Sequence, residues 1–173
     1  LGAPPPRIPL PRALYAADRL PRPNSAGLDL ADESQLDLLS KSLLLTPVDQ
    51  ALAAPLTYTH PRPLPSLPVL NPADRRDVVG QVHPASDADV AQALADAAAH
   101  AHAWASTPPA QRAACLLRAA DALQNELPRL LGLLVREAGK SWPNAIAEVR
   151  EAIDFLRFYA AQVATQFDNA THV

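Results

Sequence analysis

The sequence has no methionine, and it has little cysteine, glycine and aromatic character: its 173 residues include one cysteine, five glycines and 5% aromatic residues. Because a natural open reading frame begins with methionine, we expect this chain to be a piece of a longer polypeptide. The lone thiol, Cys115, cannot form an internal disulfide, which favours a reducing compartment such as the cytoplasm.

Long apolar runs and a strong charge imbalance are also missing. No apolar run approaches the roughly 20 residues that span a bilayer, and the N-terminus lacks the apolar core of a secretory signal. A net charge of −3 argues against nucleic acid as a partner of this segment, since the phosphate backbone attracts basic surfaces. These absences leave a domain with one core, or such a domain plus an appendage.

Proline, by contrast, is abundant and unevenly placed: fourteen of the 19 prolines lie in residues 1–72. Since proline inside a helix removes a hydrogen bond and clashes with the preceding turn, only the later part can be helical throughout. We divide the chain into a segment at 1–54, a semi-rigid proline-rich linker at 55–68 and a helical region at 69–173.

The first segment predicts three local structures. Seven prolines in residues 1–23 favour an extended, polyproline-like strap. The sequence Asn24-Ser25-Ala26-Gly27 is typical of a turn. Leucines at helical spacing then predict a short amphipathic helix over about 32–44.

The helical region begins with a predicted β-hairpin, made of apolar runs at 69–70 and 78–82 around a turn-rich "NPADRR". Ser86 and Asp89 fit a capping box, in which each side chain bonds the other's backbone N–H. They predict a helix over about 87–105. The fragment is therefore expected to be mostly α with a small β-hairpin.

Two further helices are predicted, at about 110–138 and 143–167. Pro128 either kinks the first of these or restarts it. Gly139 is suited to the left-handed position that ends a helix, and Lys140 beside it can bond the last carbonyls and favours the negative end of the helix dipole.

The same "GKS" resembles the end of a phosphate-binding P-loop, but the spacing excludes one. That loop needs a glycine at position 134, which is leucine, and it must follow a strand rather than a helix. The nucleotide hypothesis is therefore rejected for this turn.

Other candidate chemistry is sparse. Cys115 lies among alanines and leucines at helical spacing and is predicted to be a buried small hydrophobe rather than a nucleophile. His100 and His102 point about 200° apart on a helix and cannot share a metal. We assign no catalytic, cofactor-binding or metal-binding residue in this chain.

Glu151 is the one carboxylate that stands out. Arg150, Asp154 and Arg157 are spaced for ion pairs on a solvated helix face. Glu151 has no evident partner within the helix and lies one turn from Phe155, which suits a ligand for a substrate ammonium. An ordinary charged exterior remains the alternative on pattern alone.

Three blocks, "VLNPADRRDVVGQV", "AWASTPPAQRAACLLRAADALQ" and "LVREAGKSWPNAIAEVREAIDFLRFYAAQ", resemble the opening third of an aldehyde dehydrogenase domain. The third block is closest to the glutamate-semialdehyde (pyrroline-5-carboxylate) dehydrogenase domain of the proline utilization A family. "RIPLPRALY" and "RPNSAGLDLADESQL" are similar to the segment that follows the proline dehydrogenase domain in that family. The resemblance covers nearly all of residues 7–167.

The resemblance implies a bacterial, cytoplasmic, bifunctional enzyme that converts proline to glutamate with FAD and NAD, with peripheral membrane association as an option. It implies a homo-oligomer and an α/β parent domain with a Rossmann-type NAD-binding fold. In the family the catalytic cysteine, the glutamate base and the NAD turn lie beyond Val173, and the flavin barrel precedes Leu1. Cys115 does not match the catalytic motif, so the fragment alone is expected to be inactive.

By register with the family, Glu151 corresponds to a glutamate that faces the amino group of the semialdehyde. The resemblance therefore implies that Glu151 is a substrate-binding residue. A stand-alone, non-catalytic helical interaction module derived from an aldehyde dehydrogenase remains the alternative. If the chain is a fragment, the helices at 87–105, 110–138 and 143–167 lack part of the surface that they cover in the parent domain and should expose apolar surface in the isolated chain.

Overall fold

The computed structural model describes residues 8–45, 51–56 and 65–167, and within them the chain is mainly helical. The elements in chain order are α1 (Glu33–Leu45), β1 (Ala51–Ala53), β2 (Leu67–Leu70), β3 (Val78–Val82), α2 (Asp87–Ala105), α3 (Pro109–Asn125), α4 (Leu127–Ala138) and α5 (Trp142–Gln166). The predicted architecture, mostly α with a small β-hairpin, is confirmed. Most of the predicted linker at 55–68 lies outside the described residues, and the three-part division of the chain stays a prediction.

The hairpin gains a third strand that the sequence did not predict. β2 and β3 pair antiparallel, and β1 pairs parallel with β3 so that Ala51 lies opposite Gly80. A Cβ at Gly80 would lie 2.3 Å from the carbonyl oxygen of Ala51. The absence of a side chain at Gly80 is therefore what admits β1, whose Ala-Leu-Ala sequence carries no strand signal of its own.

α2 begins where the capping box predicts. The hydroxyl of Ser86 accepts a hydrogen bond from the backbone N–H of Asp89 at 3.3 Å, and the Asp89 carboxylate accepts one from the N–H of Ser86 at 2.8 Å. Its apolar residues, however, are not covered. Val90 and Leu94 are 51% and 67% exposed, and α2 makes no extensive contact with another described helix or strand.

The stretch predicted as one helix over 110–138 is two helices. α3 ends at Asn125 and α4 starts at Leu127, with Pro128 in its first turn. Proline is tolerated there because the N–H it lacks would have no partner within the helix. Pro128 thus restarts the helix rather than kinking it.

The core lies where α1, α3, α4 and α5 meet. α5 contributes the largest share, as its apolar spacing predicts. The buried cluster consists of Leu39, Ala120, Leu127, Leu131, Ala145, Ile146, Val149 and Ile153.

The N-terminal segment departs from its prediction in two ways. The described part of the strap is not extended throughout, since Pro11–Ala13 forms a 3-10 turn. The sequence Asn24–Gly27 forms no local turn. Instead, the N–H groups of Ser25 and Ala26 donate to side chains of α5 and α3, so distant acceptors replace the local hydrogen bonds of a turn.

Candidate functional site

The exposed side of α5 carries a stripe of three residues, Glu151, Phe155 and Tyr159, which we call the α5 stripe. They are four residues apart, which places them one above the other on a helix. Phe155 and Tyr159 are 51% and 57% exposed, and their ring centroids are 6.2 Å apart. The stripe combines one carboxylate with an open aromatic surface.

The carboxylate of Glu151 is exposed, and no described residue forms a hydrogen bond or an ion pair with it. It lies one turn from the Phe155 ring, as the sequence indicates. An ionised carboxylate with free lone pairs can accept charge-assisted hydrogen bonds from an ammonium group. An adjacent aromatic ring can add a cation–π attraction for the same group.

The neighbouring side of α5 is covered by residues 22–27, which we call the clamp segment. Ser25 is its most buried member, at 1% exposure. Its backbone N–H and its hydroxyl each donate to an oxygen of the Asp154 carboxylate, both at 2.7 Å. The hydroxyl also accepts from Nε of Arg150 at 3.2 Å. One serine therefore engages the two charged residues that flank Glu151.

The remaining clamp contacts extend along α3 and α5. The buried guanidinium of Arg157 donates to the backbone carbonyl of Asn24 at 3.3 Å and to Asp121 at 3.1 Å. The N–H of Ala26 donates to Oε1 of Gln124 at 2.9 Å. The sequence predicted that Arg150, Asp154 and Arg157 would pair on a solvated face, and that prediction is wrong because the clamp segment covers them.

Arg22 is the first residue of the clamp segment, and its side chain is held by several contacts. Its guanidinium carbon lies 4.0 Å from the Tyr15 ring centroid and 5.2 Å from that of Phe158. Asp18 lies 3.6 Å from the same guanidinium. A cation between two aromatic rings and beside a carboxylate is held by several weak attractions at once.

The turn before α5 sets where that helix begins. Gly139 has a φ of 64°, and the N–H of Lys140 donates to the Leu134 carbonyl at 3.3 Å, as in a glycine-terminated helix. The predicted left-handed glycine is confirmed. The Lys140 side chain was predicted to bond the last carbonyls of α4, and it does not do so. It forms an ion pair with Glu148 on α5.

An ion pair joins the end of α4, just before this turn, to the hairpin. Arg136 on α4 donates to both oxygens of Asp77, from Nη2 at 2.5 Å and from Nε at 3.1 Å. Its guanidinium, aided by the side-chain amide of Asn71, lowers the pKa of Asp77 from 3.8 to about 2. The hairpin and the end of α4 are thus held together by an ionised carboxylate.

Cys115 and the histidines provide no alternative site. Cys115 is half-buried rather than buried, and Nη2 of Arg118 lies 3.1 Å from its sulfur. The nearby cavity of about 210 Å³ between α3 and the end of α5 is mainly apolar and is bordered by Trp104 and Phe167. In the part of the chain that the structure describes, no group of three or more histidine, cysteine, aspartate or glutamate side chains is arranged to hold a metal.

A dinucleotide does not fit the described residues. Its pyrophosphate needs free N–H groups at the start of a helix that follows a strand. The connection from β3 to α2 has that order, but the Asp89 carboxylate occupies the N–H of Ser86, and Asp87 adds a second acidic residue in the first turn. Two carboxylates repel an anion there.

The sequence predicted Glu151 and the adjacent Phe155 as a candidate site, and in the structure Glu151 is accessible to solvent. It did not identify Ser25, which contacts Asp154 across 129 positions of the chain. No local pattern encodes such a contact. The only available signal was the similarity of "RPNSAGLDLADESQL" to a known segment. Among the described residues, no helix is long and apolar enough to cross a membrane.

Comparisons with known proteins show which family the chain resembles. Residues 58–172 match the aldehyde dehydrogenase family. Over 171 residues, 99% of the chain, the sequence is 52% identical to the bifunctional protein PutA of Klebsiella aerogenes. The chain spans only 13% of that relative's length.

Two further matches, each over a smaller share of the chain, are to 1-pyrroline-5-carboxylate dehydrogenases. Over 94 residues, which are 54% of this chain and 18% of the relative, it is 45% identical to 1-pyrroline-5-carboxylate dehydrogenase 2 of Bacillus subtilis. A solved 1-pyrroline-5-carboxylate dehydrogenase from Thermus with bound NAD superimposes with a TM-score of 0.73 at 26% identity, covering 88% of this chain and 30% of that one.

Proposed function

The chain belongs to the aldehyde dehydrogenase family, and from that premise we propose that it is part of a longer bifunctional enzyme that converts proline to glutamate. In that enzyme it contributes to the NAD-dependent oxidation of L-glutamate γ-semialdehyde, the open form of pyrroline-5-carboxylate. The observation that carries the proposal is the 52% identity to a PutA protein over 99% of the chain. The names of the shorter matches support the same substrate.

Within that enzyme, Glu151 binds the substrate's ammonium group. The semialdehyde carries an α-ammonium and an α-carboxylate at one end and the reacting aldehyde at the other. An exposed carboxylate without a partner among the described residues recognises the cationic part, while the Phe155 ring covers the adjacent methylene groups. Glu151 thereby distinguishes the semialdehyde from a neutral aldehyde of similar length.

The oxidation itself takes place elsewhere in the longer protein. Aldehyde dehydrogenase chemistry needs a thiolate nucleophile and a dinucleotide that accepts hydride. Cys115 lacks the setting of such a nucleophile, and the described residues do not fit a dinucleotide. We therefore place the NAD site, the FAD site of the proline dehydrogenase domain and every catalytic residue outside the described residues, in a homo-oligomeric enzyme of the bacterial cytoplasm.

The test is to replace Glu151 by alanine in the full-length enzyme. We expect kcat/KM for the semialdehyde to fall about 10- to 150-fold, the range that corresponds to one charge-assisted hydrogen bond of about 1.5–3 kcal/mol. The loss should appear chiefly in KM, and propanal or another neutral aldehyde should react as with the wild type. Steady-state NADH formation measures both.

Glu148→Ala is the matched control, because Glu148 is a glutamate on the same helix whose carboxylate is already paired with Lys140. It should leave both substrates nearly unchanged. An equal loss for the semialdehyde and the neutral aldehyde in Glu151→Ala would contradict the binding role.

The alternative is a non-catalytic interaction module, whose partner would cover the exposed apolar residues of α2; the rest of an aldehyde dehydrogenase domain would cover them as well. The parent reading frame separates the two functions. A catalytic cysteine motif downstream of Val173 supports the enzyme, and a stop codon directly after it supports the module. Intact mass of the natural gene product gives the same distinction.

A further inference from the structure

The clamp segment engages the residues on both sides of the proposed ammonium ligand. Asp154 lies three positions after Glu151 and Arg150 lies one before it, and Ser25 bonds both. The Ser25–Asp154 contact uses two donors on one residue and both oxygens on the other, at 2.7 Å each. Such a bidentate contact fixes orientation as well as distance.

The order of faces around α5 places the clamp segment directly beside the α5 stripe. Successive residues of a helix are about 100° apart. Relative to Arg150 at 0°, Asp154 lies at about 40° and Glu151 at about 100°, with Phe155 and Tyr159 at about 140° and 180°. The buried apolar residues of α5 lie at about 220–320°. On one side of α5 the clamp face therefore lies between the core and the stripe, and Glu151 lies at its edge.

The position of Glu151 at this edge makes it sensitive to the negative charge of Asp154. A carboxylate three residues from Glu151 is near enough on a helix for like charges to repel. While Ser25 donates to both Asp154 oxygens, that carboxylate is directed at the clamp segment and its charge is partly neutralised by hydrogen bonds. Without those donors, Asp154 is left half-buried with unsatisfied lone pairs, and it must reorient toward Arg150 or toward water, which disturbs the helix surface beside Glu151.

We propose, resting on the proposed role of Glu151, that Ser25 is a positioning residue for the ammonium site. It holds Asp154 and Arg150 against the clamp segment so that Glu151 alone presents a free carboxylate on the α5 stripe. A residue of the N-terminal segment, more than 120 positions away in sequence, thereby sets the substrate specificity of the dehydrogenase region. Ser25 contacts no substrate and acts only through α5.

The experiment uses the full-length enzyme and four variants: Ser25→Ala, Glu151→Ala, the double variant, and Ser40→Ala as an exposed serine control on α1. KM and kcat are measured for the semialdehyde and for a neutral aldehyde. We expect Ser25→Ala to raise the semialdehyde KM about 3- to 10-fold with kcat and the neutral aldehyde nearly unchanged. In the Glu151→Ala background the same substitution should add no further increase. Ser40→Ala should behave as the wild type.

The outcomes separate this inference from the proposed function. If Glu151→Ala is substrate-selective but Ser25→Ala is not, or if the two effects multiply, the positioning role is overturned and the binding role of Glu151 stands. If Glu151→Ala is not selective, the binding role itself fails. Should Ser25→Ala fold poorly, Asp154→Asn is the second variant, because its amide nitrogen cannot accept from the Ser25 hydroxyl. A selective rise in the semialdehyde KM is expected in the wild-type background but not in the Glu151→Ala background, where the mere loss of the Asp154 charge would still raise KM. An unselective effect of Asp154→Asn would overturn the proposal.

Discussion

Gly139 sets the position at which α5 begins. Its φ of 64° lies in the left-handed region, which costs a residue with a Cβ about 1–2 kcal/mol. A Cβ there would also lie 3.0 Å from Cγ of Pro72 in the hairpin turn. The α4–α5 turn is therefore held by backbone conformation and by contact with the hairpin, and it fixes where the stripe-bearing helix starts.

Gly139→Ala should consequently lower the free energy of unfolding by about 1–2 kcal/mol, measured by chemical denaturation of the full-length enzyme or of this chain. Gly27→Ala is the matched control, because a Cβ at Gly27 meets only Arg150 at an ordinary 3.5 Å and the backbone there needs no left-handed φ. If both substitutions cost the same, backbone conformation at Gly139 is not what holds the turn.

At the scale of elements, the sheet depends on two contacts that join pieces distant in sequence. β1 can pair with β3 only because Gly80 has no side chain, and the hairpin is joined to α4 by the Asp77–Arg136 pair. Neither contact belongs to the antiparallel β2–β3 register, although Asp77 also accepts a hydrogen bond from the Asn71 side chain within the hairpin turn. The two contacts therefore give separate predictions.

Gly80→Ala should release β1 while leaving the hairpin paired, since the new Cβ would lie 2.3 Å from a backbone oxygen that cannot yield cheaply. Hydrogen exchange should accelerate at residues 51–53 and at His83, whose N–H donates to the Ala53 carbonyl. Gln81→Ala, on the exposed side of the same strand, should not have this effect. Unchanged protection of β1 in Gly80→Ala would contradict the close approach.

Asp77 should make stability depend on pH in the acid range. Its folded pKa, about 2, is below its ordinary value of 3.8 because of Arg136. The unfolded chain therefore binds more protons between these values. The stabilisation is complete above about pH 4 and is lost as the pH falls through about 2. Asp77→Asn should flatten the fall of the melting temperature between pH 4 and pH 2.

The control for Asp77 is Asp74→Asn. Asp74 pairs with Arg76 inside the same turn, and that hydrogen bond lowers the pKa of Asp74 as well. It does not reach α4, so its loss should have a smaller effect on the acid profile. Parallel profiles for Asp77→Asn and the wild type would show that the link to α4 contributes nothing.

For the whole molecule, apolar residues outside the core are the main physical feature. Val90, Leu94 and Trp104 on α2 are at least half exposed, as are Phe155 and Tyr159 on α5. The core itself joins four helices, but it leaves α2 and the α5 stripe uncovered. Exposed apolar surface of this kind favours association with other apolar surfaces.

The 173-residue chain in isolation should therefore self-associate with increasing concentration, as measured by sedimentation velocity, and bind a hydrophobic dye. Leu94→Gln should reduce both, because Leu94 is 67% exposed, while the melting temperature stays close to that of the parent chain. Ser40→Gln on α1 serves as a control for added polarity. A monomer at every concentration, with a single cooperative melt, would contradict this expectation.

The helical regions and most of their ends could be predicted from the sequence, because apolar periodicity, capping residues, proline and Gly139 act within a few positions of one another; the break between α3 and α4 was left open. It also identified Glu151 beside Phe155, since their spacing is local. Two contacts became visible only in the tertiary structure: Ser25 covers the Arg150–Asp154 side of α5, and β1 joins the hairpin through Gly80. Both contacts join residues that are tens of positions apart in the sequence. The spacing of residues along the chain does not indicate which distant segment such a residue will contact.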